Sequence, residues 1–147
     1  MGDLRQVAHS LIFFPNAAQS FIPQHLPGGV ARAFEQADVS ILQNSWDAAG
    51  AMDRRALELA TADKAPEQRD QTLYKRIEFL ANEGRITPSL KDWAHNLRVV
   101  GNNAVHDEDG LTEDDARQAH ELTRFILTYL YTLPEQVRLA QELREQG

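Results

Sequence analysis

From Gly29 to the C-terminus the apolar residues recur at intervals of three and four, and each such run opens on a helix-start residue. Val30, Phe34, Ala37 and Ile41 share one face of a first helix. Ser45 is placed to cap a second, Trp46 to about Ala62, with Ala49, Met52, Ala56 and Leu59 as its inner face. Pro66 suits the first position of a third, which carries Leu73, Ile77 and Leu80 inward and stops at Gly84. Thr87-Pro88 repeats the start signal for a fourth. Thr112, followed by Glu113, Asp114 and Asp115, opens a fifth, with its acids at the positive end of the helix dipole. Pro134 is expected to close that helix and begin a sixth, rich in Arg and Glu. No segment alternates apolar and polar residues for long, and no hairpin turn separates strand-like runs. The expected class is all-α: a single up-and-down helical bundle of five to six helices over residues 29–147.

Residues 1–28 read differently. Pro15, Pro23 and Pro27 interrupt any helix and push the preceding residues toward extended geometry. Leu11-Ile12-Phe13-Phe14 and Phe21-Ile22 nonetheless carry too much apolar surface to leave in water. This extended apolar N-terminal arm is expected to pack on the bundle or on a partner chain, with a short helix over Leu4 to Ile12 as an alternative for its first part.

Composition narrows the chemistry. The chain has no cysteine, which excludes a thiol nucleophile, a disulfide framework and a cysteine-ligated metal. Its five histidines show no metal-ligand spacing, so neither a metal nor a cofactor is expected. A formal charge of −7 gives no global attraction to polyanions, so any such site must be local. No apolar run approaches the roughly 20 residues that cross a bilayer. No secretory signal opens the chain. A cytoplasmic protein without membrane contact is the expectation.

The most unusual stretch is Trp93 to His106. If it is helical, Leu90, Trp93, Leu97, Val100 and Ala104 fall on one side, and His95, Arg98, Asn102 and His106 on the other. A solvated face is normally built from Glu, Lys and Gln, and Gly101-Asn102-Asn103 are poor helix formers. The competing reading ends the helix at Val100, with Gly101 as a left-handed cap and a turn after it. A histidine titrating near neutrality and a guanidinium shaped for phosphate oxygens are the parts of a metal-free phosphodiester cleavage site. Arg98, Asn102 and His106 are the candidate catalytic set, and His95, Arg98 and Asn103 the candidate RNA or phosphate contacts. Other features have plainer readings. Arg54 suits a surface ion pair with Glu58, the acids at 113–115 suit helix capping, and Trp93, Tyr74, Tyr129 and Tyr131 suit core or interface positions.

Arg54-Arg55-Ala56-Leu57-Glu58-Leu59, Leu73 to Leu80, Gly84-Arg85-Ile86-Thr87-Pro88 and Arg98 to Asp107, in that order, resemble the domain-of-unknown-function family 4145, grouped with the HEPN superfamily. The resemblance implies a helical bundle, often homodimeric, of the kind common in bacterial toxins, phage-defence systems and restriction proteins. Active members of that superfamily are metal-independent ribonucleases. Their motif is an arginine, a polar residue that is often asparagine, three free positions and a histidine. Asn102 and His106 match that spacing, but Gly101 stands where the arginine would, and Arg98 lies a turn earlier. The resemblance leaves two functions as expectations. One is an HEPN-like interaction or RNA-binding module, homodimeric by family habit, meeting RNA or a defence-system protein. The other is a metal-independent endoribonuclease.

Overall fold

The computed structural model describes residues 21–101 and 109–147, and the expectations for residues 1–20 and for Asn102, Asn103 and His106 lie outside them. The described residues are all-helical: α1 Gly28–Leu42, α2 Trp46–Lys64, a 3-10 turn Pro66–Gln68, α3 Leu73–Asn82, α4 Pro88–Asn96, α5 Glu113–Leu127, a π-turn Thr128–Thr132 and α6 Leu133–Gln146. Short connections fold α1 onto α2 and α3 onto α4, and α2 is the hub, packed against α1, α3 and α5.

The expected inner faces of α1 and α3 are the buried ones: Val30, Phe34, Ala37 and Ile41, then Leu73, Ile77 and Leu80. In α2 the face is rotated. Leu57, Ala60 and Thr61 are buried with Ala49 and Ala56, whereas Met52 and Leu59 are only partly covered. The reason is that α2 has neighbours on several sides, which widens its buried arc beyond one stripe.

The start of α3 is corrected, while α2 begins at Trp46 and α6 carries Pro134 at its start, as expected. Pro66 opens only a 3-10 turn. Helix α3 starts seven residues later, where the Thr72 hydroxyl accepts a hydrogen bond from the Lys75 amide. Ser45 stands at the N-cap of α2 but its side chain caps nothing. Pro134 does not close α5. A π-turn intervenes, with the Leu133 amide donating to the Thr128 carbonyl, and the helix continues as α6 with Pro134 in its first turn. Proline brings no N–H to the ladder, and the wider turn accommodates that loss without ending the helix.

The fifth start signal reads as expected. Thr112 and Asp115 form a reciprocal capping box. Gly84, at φ 76°, ends the α3 region in the left-handed conformation that glycine adopts at little cost. No residue of α6 is buried, so this last helix presents Leu133, Val137, Leu139 and Leu143 to solvent.

Candidate functional site

The stretch from Trp93 is not one helix. Helix α4 ends at Asn96, and Leu97 is extended at φ −92° and ψ 132°. The chain then turns, with the Val100 amide bonded to the Leu97 carbonyl and the Gly101 amide to the Arg98 carbonyl. Gly101 is not among the described residues with positive φ, so it is not a left-handed cap either. Both helical readings of this stretch are corrected. The physical reason lies on α2, where Arg54 takes the Val99, Val100 and Gly101 carbonyls that a continuing helix would have used for its own bonds.

Three residues of α2 hold this turn and the chain that enters α5. Asp47, Gly50 and Arg54 are spaced three and four apart and so share one helix face. Arg54 Nη1 donates to three successive carbonyls, Val99 at 2.7 Å, Val100 at 3.0 Å and Gly101 at 3.1 Å. Its Nε donates to Glu58 Oε1 at 3.0 Å, which is the expected ion pair and fixes the plane of the guanidinium. Gly50 lacks the Cβ that would collide with the Leu111 side chain and crowd Val99. Asp47 Oδ1 accepts the Leu111 amide at 2.7 Å. Gly110, at φ 70°, passes so close to Asp47 that an added Cβ would lie 2.9 Å from Oδ2.

Arg98 joins the two sides. Its Nη1 donates to the Gly110 carbonyl at 3.2 Å and to Asp115 Oδ2 at 3.1 Å, the same carboxylate oxygen that caps α5. The backbone is therefore gripped at Val99–Gly101 and again at Gly110–Leu111, on either side of residues 102–108. His95 lies on α4 with its ring 4.5 Å from that of Tyr74. With Thr72, Ala94, Val100 and Gly101 these two line a cleft of about 260 Å³. Of the sequence-derived site residues, His95 and Arg98 are described, and they stand at the entry to this region with different partners.

Sequence reasoning missed a second cluster. His120 on α5 is buried between two carboxylates, with Nδ1 3.0 Å from both oxygens of Asp53 on α2, and Nε2 2.8 Å from Asp38 Oδ1 on α1. Its ring stacks on Phe34 at 4.5 Å, nearly parallel. Burial by itself would lower the imidazole pKa, but hydrogen bonds to Asp38 and Asp53 and the Asp53 charge outweigh it and push the value up to about 9. His120 is thus an imidazolium donating from both nitrogens. Burial raises the Asp53 pKa, with the His120 contacts opposing that rise. Arg124 sits at the edge, with Nη2 3.8 Å from Asp38 Oδ1 and its guanidinium over the Phe34 ring. The available signal was a polar residue on the inner arc of each of three amphipathic helices. Tyr131 is also buried and donates to Asp63 Oδ2 at 2.7 Å, in line with its expected core role.

Among the described residues no group of histidines and carboxylates could hold a metal ion, and no helix is long and apolar enough to cross a membrane. A helical bundle whose hub helix grips both ends of one connecting segment is the class that fold and site define. A match to the domain of unknown function DUF4145 extends over residues 35–146, and the chain belongs to that family. No curated protein and no solved structure matches it.

Proposed function

We propose that this chain is a non-cleaving, HEPN-like interaction module. It acts as a cytoplasmic homodimer, and it meets a partner protein, of the defence or restriction type, through the region that α2 holds. The observation that carries this reading is where two guanidinium groups are spent. Arg54 serves three backbone carbonyls, and Arg98 serves the Gly110 carbonyl and Asp115. Both contribute to holding backbone in place, and Arg98 has a carboxylate where a phosphate would need to bind. The formal charge of −7 points the same way. The uncovered apolar residues of α6 support self-association.

A second reading, the metal-independent endoribonuclease using Arg98, Asn102 and His106, is favoured by one feature. About a third of the Arg98 side chain is exposed (35%). Fluorescence anisotropy with a labelled single-stranded RNA at low salt, together with sedimentation velocity, tests the first reading. A dimer without saturable RNA binding is the expected result. A monomer that binds RNA with a steep salt dependence overturns it.

A further inference from the structure

Residues 21–27 form a strap that leads into α1, with Ile22 and Leu26 packed against the core. Two hydrogen bonds from the α5 side hold its backbone. Arg124 Nε donates to the Phe21 carbonyl at 2.9 Å, and Thr132 Oγ1 donates to the Gln24 carbonyl at 2.8 Å. Arg124 is therefore shared. One edge of its guanidinium serves the strap, Nη1 pairs with Glu121, and Nη2 faces Asp38 Oδ1. That Asp38 oxygen is the one that accepts from His120 Nε2.

We propose that Arg124 couples the seating of the N-terminal strap to the charge state of the buried Asp38–His120–Asp53 cluster, so that loss of the His120 proton releases the strap. The charged groups around His120 are Asp38 from α1, Asp53 from α2, and Arg124 from its own helix, with Glu121 holding Arg124 from the other side. While the imidazole is protonated, each carboxylate has an N–H donor. When it is not, one nitrogen carries a lone pair. The Asp53 side chain is fully buried, and among the described residues His120 is its hydrogen-bond donor, so the remaining proton stays at Nδ1. The lone pair on Nε2 then faces Asp38 across 2.8 Å.

Asp38 keeps 11% of its side chain exposed and can move, and Arg124 lies 3.8 Å away. A carboxylate accepts more strongly than a peptide carbonyl. The guanidinium turns toward Asp38, and the Phe21 carbonyl loses its donor. The coupling runs both ways. The Arg124 charge opposes protonation of His120, so removing that charge raises the His120 pKa further above about 9.

The absence of cysteine supplies the test. Phe21→Cys places a single dye on an exposed position (59%) of the full chain. Dye anisotropy and far-UV circular dichroism are followed from neutral to alkaline pH, and the His120 titration is read by NMR. Anisotropy is expected to fall with the His120 midpoint while helicity holds. In Arg124→Gln the anisotropy is low at every pH and the His120 midpoint moves up. Thr132→Val removes the other strap bond without touching the cluster, so it loosens the strap and, by the same reciprocity, moves the midpoint down, opposite to Arg124→Gln. Anisotropy that stays constant through the His120 titration overturns the proposal. So does a fall that persists unchanged in Arg124→Gln, or one that accompanies loss of helicity.

Discussion

Asp53 and His120, 67 residues apart in sequence, meet inside the bundle with the imidazole Nδ1 3.0 Å from both carboxylate oxygens. The contact ties α2 to α5, and through the other ring nitrogen to α1. Its pH dependence has a definite sign. Unfolded, the imidazole titrates near its ordinary 6.5; folded, near 9. The stability it contributes is complete below the first value and is lost as pH rises through the second. The difference is worth about 3 kcal/mol. Urea denaturation at neutral pH and again near pH 10 checks this, with a lower midpoint expected at the higher pH. Burial of Asp53 acts in the same sense, because it favours the protonated carboxyl.

Removing Asp53 leaves His120 Nδ1 buried without an acceptor, while Nε2 keeps Asp38. Asp53→Ala is expected to destabilise the bundle by about 3–5 kcal/mol. Glu113→Ala breaks the exposed pair with Arg117 and is expected to cost only a few tenths of a kcal/mol. Thermal denaturation of the two variants side by side measures the contrast.

Arg54→Lys keeps the charge but loses the planar group whose Nε holds Glu58 while Nη1 meets the Val99, Val100 and Gly101 carbonyls. A loss of about 1.5–3 kcal/mol is expected, the range for hydrogen bonds made by charged groups. Amide hydrogen exchange adds a local signature. Val100 and Gly101, whose amides close short turns onto Leu97 and Arg98, exchange faster in the variant. The amides of α1 change little.

Gly110 and Gly84 form a controlled pair. Both have positive φ, 70° and 76°, but only Gly110 has a side chain, that of Asp47, within 4 Å of an added Cβ. Gly84→Ala is expected to cost the backbone penalty alone, about 1–2 kcal/mol. Gly110→Ala costs more, because Asp47 must shift and its bond to the Leu111 amide weakens. Equal losses in chemical denaturation would show that Asp47 does not hold this turn.

Much of the fold was legible in local chemistry. Thr87-Pro88 and Thr112-Asp115 are short-range start signals, and both helices begin there. Pro66 misled because a proline suits a 3-10 turn as well as a new α-helix, whereas Pro134 marks the start of α6 as expected but follows a π-turn instead of a break. The stretch at Leu97–Gly101 has its carbonyls taken by Arg54, 45 to 47 residues earlier in the chain, a contact that no wheel anticipates. The grip on its ends was half legible. A glycine at position 50 in the interior of a helix asks for a reason, and Leu111 supplies it. The pairing of His120 with Asp38 and Asp53 spans 82 and 67 residues, so it exists only in three dimensions.

The most direct test of the interaction-module reading is incubation of the purified full chain with mixed RNA in EDTA, beside His106→Ala. Intact RNA with both proteins is the predicted result. Cleavage by the natural chain that survives EDTA and disappears in the variant contradicts it, and favours the second reading with His106 in a catalytic role.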